Sequence, residues 1–68
     1  MSIVVEILGA EKKTIRIDID RITVKDLLKK LNLLSTEYIA IKNDTVVTDD
    51  EIIKNGERVL LYPVKSGG

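Results

Sequence analysis

Only one stretch of this chain carries helical periodicity, so it must supply the whole helical layer of any compact fold. In "ITVKDLLKKLNL", Val24, Leu27, Leu28 and Leu31 fall at i, i+3, i+4 and i+7 and make one apolar stripe. Thr23 stands where an N-cap is wanted, with Asp26 three residues later. Lys25, Lys29 and Lys30 occupy the wet side, and the latter two also suit the negative end of the helix dipole. The stretch is predicted to form the one long helix of the chain. A helix with a single apolar stripe must bury it against a single partner face.

That face comes from segments of period two. "SIVVEIL" is a short apolar run with the character of a strand, and Gly9 with "AEKK" breaks it. "TIRIDID" then alternates, with Ile15, Ile17 and Ile19 to one side and Arg16, Asp18 and Asp20 to the other. The two runs read as a first hairpin. After the helix come "YIAIK", the turn signal "ND", "TVVT", the turn "KNGE" and a last strand "RVLLYPV", in which Pro63 weakens ladder pairing at its position.

The acidic stretch "TDDE" has two readings. Thr48 and Glu51 have the spacing of a capping box for one helical turn over "DDEII", and Asp49 to Glu51 could otherwise hold a metal. Capping is the favoured reading.

The element order is thus β-β-α-β-β, with a short helical turn before a final β. The crossover and layer rules fold this order into a β-grasp, the ubiquitin-like α+β architecture: a mixed sheet of about five strands with one long helix packed on one face. The inward set is expected to be Ile3, Val5, Ile7, Ile15, Ile17, Ile19, Val24, Leu27, Leu28, Leu31, Ile39, Ile41, Val59 and Leu61. Residues 1–64 form the domain and residues 65–68 a flexible tail.

Composition narrows the chemistry. The chain has 68 residues with no Cys and no His, so disulfides, common structural zinc sites and imidazole-assisted nucleophiles are all excluded. The serine and threonine hydroxyls have no evident activating partner, and the chain does not read as an enzyme. Eleven basic residues balance eleven acidic ones without a clustered basic run, which argues against nucleic acid or an anionic membrane as the direct partner. No apolar run reaches membrane-spanning length, and no basic-then-apolar leader opens the chain, so a cytoplasmic protein is expected.

From "KNGERVLLYPV" to the final "GG", the chain resembles small ubiquitin-like proteins of the sulfur-carrier group, ThiS and MoaD, and the archaeal ubiquitin-like small modifiers. The likeness extends over the whole chain in element order and length. The ending "YPVKSGG" has one proline and an added Lys65 where MoaD-like proteins have Pro-Pro before a small residue and Gly-Gly, so the resemblance points toward ThiS or the archaeal modifiers.

The resemblance implies that Gly68 is the reacting residue. In this group a separate ThiF/MoeB-like adenylyltransferase of the ubiquitin-activating type uses ATP to adenylate the terminal carboxylate. A sulfur donor then yields a thiocarboxylate, which serves a sulfur-acceptor enzyme in thiamine, tRNA or molybdopterin chemistry. Alternatively, thiol and amine steps yield an isopeptide bond to a target lysine. The carrier itself binds no cofactor. Gly67 and Gly68 lack Cβ atoms and suit a narrow channel, and Lys65 to Gly68 would reach about 13–14 Å if extended. A non-covalent interaction module, in which the tail has no role, is a third reading.

Strand parity suggests a second surface. If Val59 and Leu61 point inward, Leu60 and Tyr62 point outward, and Val4 and Leu8 join them from a parallel first strand. Val4, Leu60 and Tyr62 are the expected docking patch for the activating enzyme.

Overall fold

The computed structural model describes residues 2–64. Its elements run β1 (Ile3–Ile7), β2 (Lys13–Ile17), β3 (Arg21–Thr23), α1 (Val24–Lys30), β4 (Tyr38–Lys42), β5 (Thr45–Val47), β6 (Ile52–Lys54) and β7 (Arg58–Pro63). Five strands make a mixed sheet in the order β2-β1-β7-β4-β5, and β3 pairs with β6 in a separate two-stranded sheet. The parallel contact joins β1 to β7, with Val5 opposite Val59 and Ile7 opposite Leu61. This is the β-grasp arrangement.

The helix starts where its sequence says it should and stops early. Thr23 Oγ1 accepts the Asp26 N–H at 3.1 Å, closing the N-terminal cap. Instead of a long helix, α1 has seven residues. Asn32 takes the left-handed conformation, φ 60°, just past the cap residue Leu31. The Leu33 N–H then donates to Leu28 O at 2.8 Å and the Asn32 N–H to Lys29 O at 3.1 Å. That pair of bonds is a Schellman motif, and it turns the chain although the apolar periodicity continues to Leu31.

The "TDDE" segment forms no helical turn. The Glu51 N–H donates to Thr48 O at 3.1 Å in a tight turn, and β6 begins at the next residue. Its carbonyls serve α1 instead: Glu51 O accepts the Val24 N–H at 2.9 Å and Asp49 O accepts the Lys25 N–H at 3.0 Å. Two of the unpaired donors at the helix start are thereby satisfied from another part of the chain.

The core lies between α1 and the inner sheet face and comprises Ile3, Val5, Ile17, Val24, Leu27, Leu28, Ala40, Ile53, Val59 and Leu61. Ile7, Ile15, Ile19 and Leu31 pack around it as partly buried residues. The expected inward placement of Ile39 and Ile41 is reversed. Ala40 stands opposite the buried Leu61, which turns Ile39 and Ile41 to the outer face opposite Tyr62 and Leu60. Ile53, absent from the expected set, is fully buried from β6.

Candidate functional site

β7 occupies the middle of the large sheet, between parallel β1 and antiparallel β4. The turn that feeds it explains the residues of "KNGERV". Gly56 has φ 91°, and the Glu57 N–H donates to Lys54 O at 2.9 Å, the geometry of a type II turn with glycine at its third position. The Glu57 carboxylate accepts the Lys54 N–H at 2.6 Å, so the turn is also bound by its own side chain. Val59 then enters the core fully buried.

At the other end, β7 is tied down on both sides before the chain leaves the sheet. The Leu8 N–H donates to Leu61 O at 2.9 Å, and the Val64 N–H donates to Glu37 O at 2.8 Å. An open cavity of about 420 Å³, lined by Leu8, Gly9, Leu33, Tyr38 and Pro63 among others, lies beside this exit. The tail residues Lys65, Ser66, Gly67 and Gly68 lie outside the described residues.

The outer sheet face is built from residues that alternate with the core. Register places Leu60 beside Glu6 of β1 and Ile41 of β4, and Tyr62 beside Ile39. Val46 of β5 stands next to Ile41. Tyr62, Ile39 and Val46 are 46%, 40% and 66% exposed, so the apolar area spreads from β7 across β4 to β5. Val4 shares this face, but its ladder partners are Arg16 and Arg58, which puts it in a charged quarter. Parity along β7 and β1 located Leu60, Tyr62 and Val4. The contribution of Ile39, Ile41 and Val46 was missed, because it depends on which residue of "YIAIK" faces Leu61.

Between the two quarters stands Glu6, a buried charge on the outer face. Lys12 Nζ lies 2.9 Å from Glu6 Oε2, and Arg58 Nε lies 3.2 Å from Oε1. The hydrogen bond from Lys12, together with the charges of Lys12 and Arg58, outweighs burial and holds the Glu6 carboxyl below its ordinary value.

A second charge cluster closes the end of the sheet near β6. Lys42 Nζ donates to Ile52 O at 3.0 Å and sits 3.1 Å from Glu51 Oε2 and 3.3 Å from Glu57 Oε1. Burial pushes the ammonium pKa down, but the hydrogen bonds to Glu51 and Glu57 and their charges more than offset it, so the pKa is raised. For Glu57 the Lys54 N–H is the largest influence, and with Lys42 it holds the carboxyl low. Glu51 is thus committed to Lys42. Among the described residues no group of three or more acidic, His or Cys side chains is placed to hold a metal ion.

No helix among the described residues is long and apolar enough to cross a membrane. A search of curated proteins returned no match. The family model described as small archaeal modifier protein 2 matches residues 1–61, which takes in β1 to β6 and most of β7. Proteins of this ubiquitin-like kind are carriers or modifiers and not enzymes. The β-grasp sheet, the bound "KNGERV" turn and the match over nearly the whole chain agree: the chain belongs to the small archaeal modifier protein 2 family.

Proposed function

We propose that this protein is a ubiquitin-like sulfur carrier whose reacting group is the Gly68 carboxylate. An activating adenylyltransferase supplies the site in which a carboxylate oxygen attacks the α-phosphorus of ATP and pyrophosphate leaves. Sulfide-level sulfur delivered by a sulfur donor attacks the acyl carbon of the resulting acyl-adenylate, the bond to AMP breaks and AMP leaves, and a thiocarboxylate remains on Gly68. The family match over residues 1–61 supports a ubiquitin-like carrier or modifier, and the carrier-like ending from "KNGERVLLYPV" to "GG" is what favours the carrier. The fold is consistent with it: β7 is the central strand, and hydrogen bonds through Leu61 and Val64 anchor its end, which gives the reacting terminus a firmly held point of departure.

The activating enzyme docks on the outer sheet face, with Leu60 and Tyr62 at the centre and Val4 at the edge. Ile39, Ile41 and Val46 extend that contact, and a contiguous exposed apolar area of this kind is common at interaction sites.

The family description itself favours a second reading, in which Gly68 is joined to lysines of target proteins. Both readings share the adenylation step. Intact mass spectrometry of the untagged protein from its native cells separates them. Replacement of one terminal oxygen by sulfur is the expected result. A plain carboxylate, with heavier conjugates bearing a Gly-Gly remnant on lysine, would replace the carrier reading with the modifier one. Removing Gly67 and Gly68 abolishes either function, and full activity without them would leave only a non-covalent module.

A further inference from the structure

Glu6 is the only buried charged residue among those described, and it lies on a face where a carboxylate would ordinarily stay in water. Two cations cover it, and both remain open to solvent: the side chains of Lys12 and Arg58 are 62% and 68% exposed. Exposed ion pairs of this kind add little to stability, and burying a carboxylate carries a desolvation cost. What the arrangement does produce is orientation. The Arg58 pair runs through Nε, and the guanidinium still carries N–H donors on its terminal nitrogens. Lys12 is drawn from the β1–β2 loop to the same carboxylate. Arg16, the ladder partner of Val4, adds a third positive charge to this quarter, while Lys12 and Arg58 are the two that pair with the carboxylate.

Directly alongside is the apolar quarter, since Leu60 is the ladder partner of Glu6. The face is therefore divided into a charged half, which carries Glu6 on β1 with Lys12 of the β1–β2 loop, Arg16 on β2 and Arg58 at the start of β7, and an apolar half on the rest of β7, β4 and β5. Such a surface complements a protein that presents an exposed Asp or Glu next to an apolar contact.

We propose that Glu6 positions Lys12 and Arg58 to receive a carboxylate of the activating adenylyltransferase, and that this contact selects the enzyme while Leu60 and Tyr62 bury the apolar part. The inference rests on the reading that the outer face docks that enzyme. Arg58 receives the carboxylate through its terminal nitrogens, and Lys12 adds a point charge. Glu6 touches no partner group and acts only through these two.

The test is ATP–pyrophosphate exchange by the adenylyltransferase of the source organism, with the full chain as varied substrate at low and high salt. Lys12→Gln and Arg58→Gln are each expected to raise KM about fivefold and to weaken its salt dependence, with kcat unchanged. Arg58→Lys retains part of the effect. Glu6→Gln makes the quarter more positive and yet is expected to raise KM, because the cations lose their orientation. A lowered KM for Glu6→Gln would overturn the positioning role. Unchanged KM and salt dependence for both cation variants, with Leu60→Asp still raising KM, would overturn the proposal and spare the docking reading. No effect of Leu60→Asp would overturn both. Circular dichroism melting of each variant verifies that the fold is retained.

Discussion

Ala40 lies directly opposite Leu61 in the β4–β7 ladder, and this pairing turns Ile39 and Ile41 out of the core and onto the face that carries Leu60 and Tyr62. The smallest apolar residue of β4 therefore faces inward, while two larger ones supply the outer surface. The arrangement has a direct consequence for stability. Leu61→Ala empties a fully buried site and is expected to cost about 2–5 kcal/mol, whereas Ile39→Ala is expected to cost less than about 1 kcal/mol. Urea unfolding of both variants checks the parity. Equal losses at the two positions would contradict it.

Asn32 decides where the helix stops. Its φ of 60° is tolerated by Asn, is natural to Gly and is unfavourable for Ala. Asn32→Gly is expected to leave stability within a few tenths of a kcal/mol, and Asn32→Ala to lower it by about 1 kcal/mol. In a domain of this size the latter is a fall in Tm of roughly 4–8 °C. Thermal unfolding followed by circular dichroism reads the difference, and equal Tm values would show that the left-handed cap has no weight.

The two charge clusters each make a small pH-dependent contribution to stability. Glu6 and Glu57 are held below the ordinary carboxylate value of 4.5. In that range the unfolded chain binds more protons than the folded one, so stability is complete above 4.5 and falls as pH drops through the folded values. Lys42 has the opposite sign. Its pKa is raised above 10.5, so its contribution is complete below 10.5 and is lost as pH rises through the folded value. Urea unfolding across the pH range is expected to show a plateau with loss on both sides. Glu57→Gln should shrink the acid limb, and an unchanged limb would remove Glu57 from the account.

Lys42 joins β4 to the turn before β6 and to the turn before β7 through Glu51, Ile52 O and Glu57. Both carboxylates are partly exposed, so solvent screens much of the attraction. Lys42→Met is expected to cost about 1 kcal/mol at neutral pH. The same contacts occupy the ammonium, and amine-reactive labelling of the native protein is expected to modify Lys42 more slowly than Lys25, Lys29 or Lys30. Equal labelling rates would mean that the cluster opens freely.

The tail and the body are expected to respond separately to substitution. Gly68→Ala should leave the unfolding curve unchanged and depress adenylation, if Gly68 is the reacting residue as proposed. Leu60→Asp should likewise retain the fold while raising KM in the exchange assay. A Gly68→Ala chain activated as well as the unaltered one would remove that residue from the reaction.

Much of this architecture could be read from local pattern. The stripe Val24, Leu27, Leu28 placed the helix against one sheet face, the Thr23 cap placed its start, and the alternation in "SIVVEIL" and "RVLLYPV" located both central strands with their inward residues. These features depend on neighbours within a few positions, where side-chain period and capping chemistry operate. The same parity indicated Leu60, Tyr62 and Val4 on the outer face.

What escaped such reading depends on partners distant in the chain. "TDDE" has the spacing of a helix cap, yet its carbonyls cap α1, and Glu51 turns to Lys42, because β6 must pair with β3 to bury Ile53. "YIAIK" offers two parities, and only its register against β7 chooses between them. Glu6 reads as an ordinary exposed acid until parallel β1 and β7 bring Arg58 to it from the far end of the chain. Local sequence determined the period and the ends of elements, since those arise from short-range sterics and hydrogen bonding. Tertiary packing decided which residues of a strand share the core and which charges meet, since both depend on a register that no single strand contains.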